Sequence, residues 1–125
     1  MFIEIDFQSE EAIYRQLYRQ IIVGIATRNL VQGESLPSVR DMADQIGINM
    51  HTVNKTYSIL KEEGFLQMDR RRGAVVSVNP EKTDAERELC EALKVALAKA
   101  SVRKISTERV HELVDQICEE YEQTI

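Results

Sequence analysis

The sequence predicts a mainly α-helical protein with one small β-hairpin, arranged as a larger N-terminal part followed by two short helices. Apolar residues recur every three or four positions in several separate stretches, the period of a helix with one buried face. Between the third and fourth of these lie two short runs, Phe65-Leu66-Gln67-Met68 and Ala74-Val75-Val76-Ser77-Val78, joined by the polar turn Asp69–Gly73. Such a pair of runs around a turn reads as a hairpin. The two prolines, Pro37 and Pro80, both fall where a pattern breaks.

The first helix is expected to begin after Ser9, with Glu10 and Glu11 suited to the positive end of the helix. Ile13, Leu17, Ile21 and Ile25 then repeat every four residues as one buried stripe, ending near Asn29. The stretch 30–37 contains Gly33 and Pro37 and reads as a connecting loop. Ser38 offers an N-cap to a short second helix, with Asp41 three positions on as in a capping box. Val39, Met42, Ala43 and Ile46 form its apolar face, and Gly47 is placed to end it. Asn49 caps a third helix, lined inside by Val53, Tyr57 and Leu60 and followed by Gly64. After the hairpin, Asn79-Pro80 separates an N-terminal part, 1–79, from a C-terminal part, 80–125. Leu89, Leu93, Val95, Ala96 and Ala100 predict a fourth helix over roughly 84–103. Ser106 or Thr107 caps a fifth, with Val110, Leu113, Val114, Ile117 and Tyr121 on one face.

Three helices and a hairpin in this order, the second and third helices joined by a tight glycine turn, make a winged helix-turn-helix. The composition fits a globular protein: 43% of the 125 residues are hydrophobic and 30% charged. No apolar run approaches the length of roughly 20 residues needed to span a bilayer, and the start MFIEIDF is unlike a signal peptide. A cytoplasmic protein without membrane contact is therefore expected. Cys90 and Cys118 lie far apart with no CxxC spacing, which points to neither a disulfide framework nor a zinc site.

The net charge of −5 runs against nucleic-acid binding at first sight, since duplex affinity comes largely from cations meeting phosphates. Its distribution is uneven. Residues 1–78 hold nine Lys/Arg against ten Asp/Glu, whereas residues 79–125 hold seven against eleven. The acid excess sits mainly in the tail, so a locally basic N-terminal surface is permitted but not required.

From Ile13 to Val78 the chain resembles the DNA-binding domain of the GntR family of bacterial regulators. The resemblance is carried by Tyr14-Arg15-Gln16-Leu17, by Leu36-Pro37-Ser38-Val39-Arg40-Asp41-Met42-Ala43, and by Gly47-Ile48-Asn49 with Thr52-Val53. Lys61-Glu62-Glu63-Gly64-Phe65-Leu66 and Arg72-Gly73 complete it. Most members carry a large effector-binding domain after the wing, whereas only 47 residues follow Val78 here. Two short amphipathic helices, and the run Thr52-Val53-Asn54-Lys55-Thr56-Tyr57, are similar to the YtrA-like branch, in which such helices serve dimerisation.

A DNA-reading helix places its first turns in the major groove. On the third helix the residues away from the buried stripe are Met50, His51, Thr52, Asn54, Lys55 and Ser58. His51 and Asn54 can donate and accept hydrogen bonds; Thr52 suits a phosphate or a thymine methyl, and Lys55 a phosphate. The alternative is the solvated face of an ordinary helix. Arg40 lies where the resemblance places a DNA-contacting arginine, and a guanidinium can pair bidentately with guanine or clamp a phosphate. Its alternative is an ion pair with Asp44. Arg70, Arg71 and Arg72, with Gly73 permitting a sharp turn, suit a wing laid in the minor groove, or are an exposed charged turn. Many GntR members carry arginine at the positions of Met50 and Asn54, so base preferences do not transfer.

The expected DNA-binding residues are thus Ser38, Arg40, Asn49, His51, Thr52, Asn54, Lys55, Arg70, Arg71, Arg72 and Gly73. Leu89, Leu93, Val110, Leu113, Val114, Ile117 and Tyr121 are the expected dimerisation residues, because two short helices cannot bury their apolar faces alone. The expected partners are a roughly palindromic double-stranded DNA operator, with repression by occupying a promoter, and a second copy of the chain. No cofactor or metal is expected, and a small-molecule effector is left open. No glycine-rich phosphate loop, nucleophile elbow or triad pattern points to an enzyme. His111, Asp115 and Cys118 share one helical face but have no companion cluster. A winged helix devoted to protein contact is the remaining competitor.

Overall fold

The computed structural model describes residues 3–122. The element order is α1 (Ile13–Ala26), α2 (Val39–Ile46), α3 (Met50–Glu62), β1 (Leu66–Asp69), β2 (Gly73–Val76), α4 (Ala85–Val102) and α5 (Thr107–Glu122). These fall into two units, one ending at Lys82 and the other starting at Thr83.

The first unit is built on the stripe of α1. Leu17 and Ile21 are fully buried, together with Met42 from α2, Val53 and Leu60 from α3, and Leu66 and Val76 from the hairpin. Each large side chain so buried contributes about 1.5–3 kcal/mol relative to exposure. The start of α1 differs from the sequence expectation. Ser9 does not cap it; its hydroxyl accepts the Glu11 N–H at 3.0 Å in a local turn, and the helix begins at Ile13 without a side-chain cap. The cause is long-range. Gln16, a buried polar residue, accepts the Asp6 N–H and donates to the carbonyls of Asp6 and Glu11, each at 2.9 Å. One turn on, Gln20 accepts the Glu4 N–H at 2.9 Å and donates to the Glu4 carbonyl at 2.6 Å. The segment before α1 is thereby held as an extended strap, with Ile3 and Ile5 packed on the core. The C-terminal end is also earlier than expected, at Ala26, where Thr27 returns its hydroxyl to the Val23 carbonyl at 2.7 Å.

The stretch 30–37 is more than a loop. Gly33 N–H reaches the Val76 carbonyl, Val76 N–H the Glu34 carbonyl, and Leu36 N–H the Ala74 carbonyl, all at 2.8 Å. Ser35 bridges antiparallel to Val75, so this stretch lines the free edge of β2. The hairpin itself pairs Leu66 with Val76 and Asp69 with Gly73. At the tip the strands reach one residue beyond each apolar run, to Asp69 and Gly73, and at the open end they stop at Leu66 and Val76, short of Phe65, Ser77 and Val78.

After α3 the chain passes Gly64 at φ 86°, a left-handed conformation. A Cβ there would sit 2.6 Å from Lys82 Cβ and 2.8 Å from the Asn79 carbonyl, whose N–H donates back to the Gly64 carbonyl at 2.7 Å. Gly64→Ala is expected to cost about 2–4 kcal/mol, combining the left-handed penalty with a backbone clash. A urea titration followed by circular dichroism checks it, and an unchanged midpoint would contradict the geometry.

The second unit is a pair of helices. Asp84 caps α4 by accepting the Arg87 N–H at 3.2 Å, and the Ser106 hydroxyl accepts the Arg109 N–H at 3.1 Å at the start of α5. Among its described residues none is buried. Val110 and Leu113 are half-buried, whereas Leu89, Leu93, Val114, Ile117 and Tyr121 are exposed. Val95, Leu97, Val102 and Ile105 are exposed apolar residues as well.

Candidate nucleic-acid interface

The helix-turn-helix is set by short-range caps. Ser38 accepts the Asp41 N–H at 3.1 Å to start α2. Gly47, at φ 74°, ends it, with both Gly47 and Ile48 donating to the Ala43 carbonyl. Asn49 accepts the His51 N–H at 2.7 Å to start α3. The side-chain oxygens of Ser38 and Asn49 are therefore engaged as caps, which leaves the Asn49 amide nitrogen for an outside partner.

One face of α3 is locked inward. Val53, Tyr57 and Leu60 are buried as expected, and Thr56, unexpected as an inner residue, is fully buried with them. The Thr56 hydroxyl donates to the Tyr14 carbonyl at 3.2 Å, and the Tyr57 hydroxyl to the Pro37 carbonyl at 2.8 Å. Burial pushes the Tyr57 phenol above its ordinary pKa, so it stays a neutral donor. The other face carries His51, Asn54, Lys55 and Ser58, all exposed, with Thr52 half-buried and Met50 exposed at the first turn. Lys55 does not extend freely: its Nζ lies 3.8 Å from the centre of the Tyr14 ring.

Arg40 is exposed at the second position of α2. Among the described residues it makes no ion pair, so the contact with Asp44 is not formed. In the wing, one Asp69 carboxylate oxygen accepts the Arg71 and Arg72 N–H groups at 2.8 and 3.1 Å, closing the turn before Gly73 at φ 72°. The Arg72 guanidinium donates to the Gly33 carbonyl at 3.2 Å and lies 3.7 Å from Asp69. Arg72 thus ties the wing to the edge segment, and Arg70, Arg71 and Arg72 are all exposed.

The two N–H groups given by Arg71 and Arg72 hold the Asp69 carboxyl below its ordinary pKa. A lowered folded pKa adds stability that is present above the ordinary carboxylate range and is lost as pH falls through the lowered value. The turn is expected to loosen in acid, read as lower protection of the Arg71 and Arg72 amides relative to their intrinsic exchange. In Asp69→Asn that pH dependence is expected to vanish.

No helix among the described residues is long and apolar enough to cross a membrane. No group of three His, Cys, Asp or Glu among them is placed to hold a metal, and Cys90 and Cys118 are exposed free thiols.

A capped helix-turn-helix followed by a hairpin with arginines at its tip defines a winged-helix DNA-binding regulator of transcription. Residues 13–76 match the profile of the bacterial regulatory proteins of the gntR family, and the chain belongs to that family. It is 33% identical over 118 residues to the HTH-type transcriptional repressor YtrA of Bacillus subtilis, covering 92% of this chain and 91% of that protein. Among solved structures it is similar to YtrA from Sulfolobus acidocaldarius, a GntR-family transcription factor. There the identity is 35%, the coverage 94% of this chain and 97% of that one, and the TM-score 0.59. A transcriptional antiterminator from Listeria monocytogenes superposes with a TM-score of 0.82 at 26% identity, covering 97% and 92% of the two chains.

Proposed function

We propose that the chain is a homodimeric repressor acting in the cytoplasm, two copies of its 1–79 part occupying the half-sites of a roughly palindromic operator. The 80–125 part joins the copies. The observation that carries this reading is α3, whose inner face is buried and hydrogen-bonded while His51, Asn54, Lys55 and Ser58 are presented outward. With few cations on α3, phosphate anchoring falls mainly to Arg40, Arg70 and Arg71. His51, Thr52 and Asn54 supply base-edge contacts. The repressor role is supported by the B. subtilis relative, which is named one.

The test is a gel-shift titration against duplex DNA from upstream of the chain's own gene, at two salt concentrations, with unrelated DNA as competitor. Selective binding that weakens steeply with salt supports the reading. A winged helix devoted to protein contact would show no selectivity, and neutralising Arg40, Arg70 and Arg71 would change nothing. The likeness to a protein named an antiterminator adds one control, the same sequence as single-stranded RNA. Preference for that RNA over the duplex would replace the operator reading.

A further inference from the structure

We propose that Tyr14 is a positioning residue of the DNA interface, holding the Lys55 ammonium in place so that it meets a phosphate already ordered. This rests on α3 being the DNA-facing helix. Tyr14 grips two successive residues of α3 by two different groups. Its ring lies under the Lys55 Nζ at 3.8 Å, and its carbonyl accepts the Thr56 hydroxyl at 3.2 Å. Thr56 is fully buried, so that second contact ties the Tyr14 backbone to the stretch of α3 that carries Lys55. The lysine is exposed. One side of its ammonium rests on the ring, and its remaining N–H donors are open to water or to a phosphate oxygen.

Two consequences set the sign of the effect. A free lysine loses rotamer freedom when it meets DNA, and one already seated on a ring has lost it beforehand. An ammonium that had to leave the ring to reach a phosphate would instead give up an attraction, and Tyr14 would then weaken DNA binding. Lys55 and Lys61 are the only formal cations within α3, so the placement of Lys55 governs how the first turns of this helix meet the backbone.

The experiment measures affinity for a short mixed-sequence duplex at low salt, across a salt series, by fluorescence anisotropy. Phosphate contacts do not depend on sequence, so no knowledge of the operator is needed. The proteins are the full chain and its Tyr14→Leu, Tyr14→Phe, Lys55→Met and Tyr14→Leu/Lys55→Met variants. Lys55→Met is expected to lower the slope of log K against log salt by about 0.9. Tyr14→Leu is expected to weaken binding about two- to five-fold, the cost of ordering one long side chain on binding, and to have no effect once Lys55 is methionine. Tyr14→Phe keeps the ring and is expected to match the unmodified chain. Tighter or unchanged binding by Tyr14→Leu overturns the proposal, as does an equal loss in both Lys55 backgrounds. A Tyr14→Phe loss as large as that of Tyr14→Leu would make the hydroxyl the contact and also overturn it. So does Lys55→Met with an unchanged salt slope; Arg40→Ala then shows whether the interface reading fails too, because Arg40 lies on α2. Thermal midpoints report folding, and Tyr14→Met enters the same cycle if Tyr14→Leu does not fold.

Discussion

Replacing Val114 and Ile117 together by aspartate is expected to turn the proposed dimer into a monomer and to lower operator affinity by about a hundredfold or more. The loss of affinity follows from avidity: two joined half-site contacts bind about 10²–10⁴-fold more tightly than one without any new contact. The loss of the dimer follows from the second unit. Its two helices, α4 and α5, bury none of their described residues, yet they expose Leu89, Leu93, Val114, Ile117 and Tyr121. A helical pair this small cannot build a sufficient core by itself, and most helical stability in proteins comes from packing of an amphipathic face. A second copy presenting the same faces, related by a two-fold axis, would satisfy both helices at once. Sedimentation equilibrium reads the assembly state and gel shift the affinity. A double-aspartate protein that still sediments as a dimer would place the interface elsewhere.

Arg40→Ala, losing the phosphate anchor on α2, is expected to weaken operator and unrelated duplex about equally, by roughly tenfold, and to lower the salt slope by about 0.9. Its thermal midpoint should stay within error, because Arg40 is exposed and makes no ion pair among the described residues. The wing holds a contrast of its own. Arg71→Ala, losing at most one phosphate contact, should reduce the salt slope by about 0.9 with little sequence dependence. Arg72→Ala removes the bond to the Gly33 carbonyl as well, so the wing should loosen even without DNA. Equal effects of Arg71→Ala and Arg72→Ala on the free protein would show that this tether holds nothing.

The parts of the fold that were legible in the sequence are those fixed by groups a few residues apart. Ser38, Gly47 and Asn49 each act within one turn of themselves, and each does in the structure what its chemistry predicts. The start of α1 was not legible, because Gln16 and Gln20 reach back ten and sixteen positions to hold the strap. The same holds for the edge segment at 33–36, whose partner is the backbone of β2 and leaves no side-chain signature. Thr56 was missed although a signal existed: Val53, Thr56, Tyr57 and Leu60 follow the three-four spacing of a buried face, and the hydroxyl hid one member. The exposed face of α3 followed from that same spacing. The seat of Lys55 on Tyr14 did not, since it depends on how α1 packs against α3.

The strap before α1 also behaves as a gauge of length. Four residues along a helix advance about 6 Å, and two residues along an extended chain about 6.6 Å. Gln20 and Gln16 are four apart on α1, and their partners Glu4 and Asp6 are two apart on the strap, running the opposite way. The two spacings nearly coincide, so each amide can close on one backbone residue while Ile3 and Ile5, which alternate with Glu4 and Asp6, pack on the core. Only one alignment satisfies this, because a shift by a single residue would turn both isoleucines to water. Inserting one residue between Glu4 and Asp6 is therefore expected to disturb the domain more than replacing either side chain.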